Sequence, residues 1–253
     1  MIQVETDARG VATITLARPE KRNALDRATI DALTEAARTI GSDDGVRVVV
    51  LTGEGAAFCA GGDLSWMREQ IEATPEERAE GARALAGMLG ALDAMPKPLI
   101  GRVNGDALGG GVGMACVCDV AVAATDARFG LTEVRLGLIP ATIGPYVVAR
   151  LGPAVRRIFM SGRVFGAEEA ARLGIVARVA ADLDAAVEEE VSPYLAAAPG
   201  AVASAKALAR RLAGAPDAKT VEASIAALVD RWETGEARDG IAAFFDKRRP
   251  PWG

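Results

Sequence analysis

The stretch that most constrains this 253-residue chain is Ala107-Leu108-Gly109-Gly110-Gly111-Val112-Gly113-Met114-Ala115. An apolar run, Pro98-Leu99-Ile100-Gly101-Arg102-Val103, precedes it and closes on Asn104-Gly105, so it reads as a buried strand ending in a tight turn. Met114 to Cys118 then read as the start of a packed helix. Three consecutive glycines at a helix start cost roughly 1 kcal/mol each relative to alanine. What they offer is access: another molecule can approach backbone N–H groups that a helix N-terminus leaves unpaired and partly positive. Such a place suits an anion or a developing negative oxygen. Tight packing through small residues would use the same glycines. The run fits neither the dinucleotide fingerprint nor a phosphate loop ending in Gly-Lys-Ser/Thr.

A second stretch repeats the arrangement. Val46-Arg47-Val48-Val49-Val50-Leu51-Thr52-Gly53 is a β-branched run closed by glycine, hence a central strand. Glu54-Gly55-Ala56-Ala57-Phe58-Cys59-Ala60-Gly61-Gly62-Asp63-Leu64 follows as strand, small-residue turn and helix start, with Asp63 placed to cap a helix through Trp66 and Met67. Two such units could present two backbone N–H groups to one oxygen. Together with Phe129-Gly130-Leu131-Thr132-Glu133-Val134-Arg135-Leu136-Gly137-Leu138-Ile139-Pro140, they resemble the enoyl-CoA hydratase/isomerase (crotonase) superfamily. The resemblance runs nearly end to end, from Ile14–Pro19 to Phe244–Arg248.

Bulk properties narrow the classes. Half the residues are hydrophobic, enough for a substantial core, yet no apolar run reaches membrane-spanning length. Net charge is −5 with lysines and arginines scattered, so no nucleic-acid footprint is expected. Met1-Ile2-Gln3-Val4-Glu5 lacks a signal-peptide pattern, and a cytoplasmic location is expected. Cys59, Cys116 and Cys118 form no CxxC pair or disulfide framework and read as buried thiols. The chain contains no histidine, which excludes histidine-dependent triads and histidine metal sites. Acid–base chemistry must use carboxylates, lysine, tyrosine or cysteine.

Taken in order, Val4–Ala8 and Val11–Leu16 predict a hairpin around Arg9-Gly10, and Asn23 reads as the N-cap of a helix from about Leu25 to Ile40. Glu76 to Ala94 has helical periodicity, and Asp119–Ala123 is another β-type run. Strands alternating with helices argue for an α/β architecture with largely parallel pairing. The resemblance implies more: a crotonase-like spiral of ββα units over residues 1–192, binding acyl-CoA, and a C-terminal helical region at 193–253. In the family that region packs into trimers or dimers of trimers, so a homotrimer or dimer of trimers is implied; a helical cap on the chain's own core would read the same.

The resemblance also assigns roles. The N–H groups of Ala60 and Gly110 would hold the thioester oxygen of an acyl-CoA. Glu133 matches one of the two catalytic glutamates; its sequence setting, beside the apolar Val134–Ile139 run, favours use, although a salt bridge with Arg128 or Arg135 on a solvated turn is the plainer alternative. Gly113 stands where the other glutamate normally follows the triple glycine, which leaves Glu133 alone to move a proton and extra room for a substrate branch or carboxylate. Arg68, Arg83 or Arg135 could pair with such a carboxylate. Lys21, Arg22, Ala24, Gly61, Gly62, Asp63, Leu64, Gly109 and Lys247 are expected along the CoA and acyl site, and Trp66 and Met67 as acyl-pocket wall or plain core. No metal or redox cofactor is indicated, because coenzyme A enters as part of the substrate.

Three functions remain open at this stage. The first is hydration of an enoyl-CoA, with Leu138–Val148 resembling hydratases of branched, carboxylated substrates (3-methylglutaconyl-CoA and carboxygeranoyl-CoA types). The second is a Δ3,Δ2-enoyl-CoA isomerase using Glu133 alone. The third is a catalytically weak acyl-CoA binder.

Overall fold

The computed structural model describes residues 1–252. Strands β1 (Ile2–Thr6) and β2 (Val11–Leu16) form the expected antiparallel hairpin, with Gly10 at φ +82° in its turn. Helix α1 (Arg27–Ser42) follows and buries Ile30, Leu33, Ala37 and Ile40 along one face. Its cap is Asp26, which accepts the Thr29 N–H at 2.8 Å, and not Asn23. Asn23 is instead buried with φ +55°, donating to the carbonyls of Glu54 and Ala57 at 2.9 and 2.8 Å. Two Asx residues lie three apart, and the one whose side chain found long-range partners gave up the cap.

The next segments repeat a single plan. Strands β3 (Val48–Gly53) and β4 (Ala57–Cys59) lead to helices α2 (Leu64–Glu72) and α3 (Pro75–Ala94). Strands β5 (Leu99–Val103) and β6 (Asp106–Leu108) lead to α4 (Gly110–Val117). Strands β7 (Val120–Ala124) and β8 (Arg128–Gly130) lead, through a 3₁₀ turn at Glu133–Leu136, to α5 (Gly144–Leu151). The first strand of each turn joins one sheet and the second joins another, so Val50, Ile100 and Val120 are consecutive neighbours, as are Cys59, Ala107 and Phe129. This is the spiral of ββα units. Helix α6 (Arg156–Phe159), β9 (Val164–Gly166), α7 (Ala167–Leu173) and β10 (Arg178–Ala180) complete it, giving sheets ordered β1-β2-β3-β5-β7-β10 and β4-β6-β8-β9. Leu51, Phe58, Leu89, Leu92, Met114 and Phe129 fill the space inside, each contributing roughly 1.5–3 kcal/mol by leaving water.

Four helices follow: α8 (Leu183–Leu195), α9 (Pro199–Ala213), α10 (Ala218–Trp232) and α11 (Gly235–Phe245). Residues 192 and 193, where the helical region was expected to begin, lie inside α8, which takes Pro193 within its length. Helix α8 covers the outer face of the large sheet, setting Leu183, Val187 and Val191 on Val48, Val50, Ile100 and Val122. The last helices return to the core. Lys206 of α9 holds Asp119 at 2.7 Å, and Ile225 of α10 packs on Ala82 and Ala86 of α3. Ala237 and Ile241 of α11 pack on Leu138. No helix among the described residues is long and apolar enough to cross a membrane.

Candidate active site

The two glycine bends meet because their strands are partners. Cys59 of β4 lies beside Ala107 of β6, and each chain then turns with positive φ, at Gly61 (+93°) and Gly109 (+48°). A Cβ on Gly61 would sit 3.2 Å from the Leu108 carbonyl oxygen and 3.9 Å from the Gly109 Cα, so main chain touches main chain. A Cβ on Gly111 would run into the carbonyl oxygen of Cys59, which explains the third glycine.

Hydrogen-bond accounting separates the amides of these bends. The expected donor, Ala60, is engaged: its N–H donates to the Arg22 carbonyl at 3.0 Å and cannot also hold a ligand oxygen. Gly62 is the correction. Leu25 forms a parallel bridge with it, donating to the Gly61 carbonyl at 2.7 Å and accepting from the Asp63 N–H at 2.8 Å. The Gly62 N–H therefore faces away from Leu25, and it has no partner among the described residues. On the other bend, the first helical closure of α4 runs from the Gly113 N–H to the Gly109 carbonyl at 3.2 Å, so the Gly110 N–H is likewise free. Gly62 is exposed, whereas Gly110 is buried beside Leu25 Cδ1, which would lie 2.8 Å from a Cβ there.

Glu133 faces the second bend from the 3₁₀ turn that ends at Gly137, a residue in the left-handed region at φ +74°. Its Oε1 lies 3.1 Å from where a Cβ of Gly109 would stand, and its Oε2 is buried with no hydrogen-bond partner among the described residues. Burial pushes the carboxyl up to about 7, opposed only by its own backbone N–H. The salt-bridge alternatives are not formed. Arg128 binds Asp106 through two contacts, at 2.9 and 2.6 Å, and Arg135 is exposed against Gly162. A carboxyl left alone in an apolar setting is costly as a structural element and suited to exchanging a proton near neutral pH.

Gly113 does not supply the room expected of it. A Cβ there would lie 3.0 Å from Ile143 Cγ2 and 3.4 Å from Leu89 Cδ1, so both side chains already occupy the space of a second carboxylate. That wall is apolar. Trp66 lies between Gly62 and Gly81, its ring 3.7 Å and 3.2 Å from a Cβ at either position, and so flanks the first bend as wall.

The remaining expected residues divide. Asp63 is almost wholly buried, accepts the Ser65 N–H at 2.8 Å as the cap of α2 and holds Arg18 at 2.9 Å, so its carboxylate supports the bend and is not open to a ligand. Arg22 lies with its side chain half-exposed and shares Asp106 with Arg128. Lys21 is exposed beside it, Ala24 is buried, and Leu64 is exposed at the start of α2. Lys247 stands exposed beyond the end of α11. Of the arginines proposed for a substrate carboxylate, Arg83 pairs with Glu222 at 3.0 Å and Arg68 lies over the Phe245 ring at 4.5 Å. Burial pushes the Cys59 thiol up to about 12, which makes it inert as a nucleophile. Sequence reasoning missed Gly62 as a donor and Leu25, Leu89 and Ile143 as walls. The one signal was the doubled glycine at 61–62.

The chain is similar to known proteins along almost its whole length. A profile described as enoyl-CoA hydratase/isomerase matches residues 6–253. A Thermus thermophilus protein assigned as an enoyl-CoA hydratase is 36% identical over 254 residues, covering 99% of both chains. The crotonyl-CoA hydratase of Syntrophomonas wolfei is 32% identical, with 94% of this chain and 93% of that one covered. Among solved structures, an enoyl-CoA hydratase from Mycobacterium avium superposes with a TM-score of 0.89 at 32% identity, over 100% of this chain and 98% of the other.

Proposed function

From a chain that belongs to the enoyl-CoA hydratase/isomerase family, we infer an enzyme that adds water to, or removes it from, the α,β double bond of an acyl-CoA thioester. The observation that carries this is the Glu133 carboxylate, its Oε2 buried, standing against the second of two glycine bends whose Gly62 and Gly110 N–H groups have no partner among the described residues. In the proposed reaction, the Gly62 and Gly110 N–H groups receive the thioester oxygen and stabilise the enolate-like state, an effect of ~3–4 kcal/mol per donor. Glu133 takes a proton from water as its oxygen bonds to Cβ, then returns that proton to Cα. A carboxyl near neutrality serves both halves of this exchange. The reaction requires no metal or redox cofactor.

The finer proposal, a branched or carboxylated acyl chain, rests on the Leu138–Val148 phrase and draws nothing from Gly113. The isomerase is the second reading. A single carboxylate beside Gly109, with Ile143 and Leu89 filling the space at Gly113, suits moving a proton between substrate carbons without fixing a water. We also propose a cytoplasmic homotrimer or dimer of trimers, supported by apolar side chains such as Leu212, 76% exposed on α9; a single-chain mass in sedimentation would remove it.

The test is incubation with crotonyl-CoA, 3-methylglutaconyl-CoA and a 3-enoyl-CoA in water labelled with heavy oxygen. Label in a 3-hydroxyacyl product supports hydration, and the faster of the first two substrates decides the acyl chain. A conjugated product without label moves the assignment to the isomerase. Tight binding without turnover leaves an acyl-CoA binder.

A further inference from the structure

The turn that carries Glu133 is held from outside the spiral. Gly137 ends it, and the Gly137 carbonyl accepts two hydrogen bonds from Arg231 of α10, from Nε at 3.0 Å and Nη2 at 2.6 Å. Nη2 also reaches Glu236 of α11 at 2.7 Å, so the guanidinium is itself held. The link continues inward, because the N–H groups of Gly137 and Leu138 donate to the carbonyl of Glu133. Contact reinforces it: a Cβ on Gly240 of α11 would lie 2.5 Å from the Leu136 carbonyl carbon, and one on Gly137 would strike the backbone of Glu236. Among the described residues Glu133 has no side-chain partner that could fix its carboxylate directly. Its place beside Gly109 must come from its backbone.

We propose that Arg231 is a positioning residue for Glu133, clamping the carbonyl that closes the 3₁₀ turn and thereby setting where the carboxylate stands against the second glycine bend. The claim rests on the reading of Glu133 as the proton-transfer group. Arg231 acts through the turn and touches no substrate. Of the charges on the elements packed there, Arg231 and Glu236 pair with each other, Arg135 is exposed against Gly162, Arg238 and Asp239 of α11 are exposed to solvent, and α4 brings none. What a loosened turn would change is the exclusion of water around Glu133.

The experiment labels glutamate Cδ with carbon-13 and follows Glu133, assigned by the resonance lost in Glu133→Gln, through a pH titration. Wild type, Arg231→Lys, Arg231→Ala and Glu222→Gln are compared, with kcat, KM and melting temperature measured on the same preparations. Arg231→Ala is expected to lower kcat about 10- to 100-fold with KM within about threefold, since misplacement affects chemistry more than binding. The Glu133 midpoint should fall by about one pH unit as water reaches it. Arg231→Lys, with one donor left for Gly137, should fall between, and it decides the matter if Arg231→Ala does not fold. Glu222→Gln removes an exposed ion pair of the same helix and should leave kcat and midpoint unchanged. Wild-type kcat and midpoint in the Arg231 variants overturn the proposal, whatever their melting temperatures. If the wild type turns over no enoyl-CoA, the reaction reading fails while the titration still decides the clamp.

Discussion

Positions 113 and 133, the two where the resemblance led us to look for carboxylates, have opposite solutions here. At 133 a carboxylate is kept in an apolar setting with one oxygen unpartnered, and its proton affinity rises toward neutrality. At 113 there is no side chain, and Ile143 and Leu89 close the space. The first position accepts an energetic penalty to keep an unpaired carboxylate, whereas the second contributes ordinary core packing. The difference teaches that a glycine where a longer side chain was expected need not leave a hole. Neighbouring side chains can close such a space into wall, and on the reading proposed above any proton transfer would then be carried by Glu133 alone.

The comparison can be broken most directly at Glu133. Glu133→Gln should reduce turnover at least ~10³-fold, or ~4 kcal/mol of barrier, while a CoA ester still binds, as read by steady-state kinetics and calorimetry. Near-normal turnover would make 133 as inert as 113. The same variant gives the next effect, on stability. The folded-state carboxyl titrates at about 7 against an ordinary value of 4.5, so the folded state holds its proton more tightly than the unfolded chain. The stability that Glu133 contributes should therefore fall as pH rises from 4.5 to 7 and level off above it. Glu133→Gln should lack that slope and be the more stable protein at pH 8 by up to ~3 kcal/mol, with the difference gone at pH 4. Denaturant unfolding across pH measures it, and equal slopes would mean that the carboxyl is solvated.

Smaller effects sharpen the other side. Gly113→Ala gains about 1 kcal/mol of helix propensity but forces Ile143 aside, and overpacking costs about 1–3 kcal/mol. A net loss of about 1 kcal/mol with kcat preserved is expected; a gain in stability would show that the wall yields and that the room exists after all. Least of all, Glu222→Gln, which breaks the exposed pair with Arg83, should change stability by less than ~0.5 kcal/mol. A larger loss would mean that α10 depends on that pair more than on Ile225.

Much of this was legible in the residues. The glycine runs at 61–62 and 109–111 marked both bends, and Glu133 stood out as an acid beside an apolar run. The errors share a cause. Ala60 looked like the donor because a bend in sequence does not reveal which amide is engaged; that was decided by Arg22, 38 positions away, through a 3.0 Å bond. Gly113 looked like space because the side chains that fill it come from α3 and from the segment before α5. Asn23 looked like a cap until the carbonyls of Glu54 and Ala57 claimed its side chain. The hold of Arg231 on Gly137 spans 94 positions and had no local signature.

Because β4 and β6 are adjacent rungs of a parallel sheet, the separation of the bends that follow them is inherited from interstrand spacing, about 4.8 Å, and from no side chain. At these two positions only proline deletes an amide outright. Any side chain at Gly110 or Gly111 would instead press on Leu25 or on the Cys59 carbonyl, so the spacing of the two bends is guarded by the absence of side chains as much as by the strands beneath them.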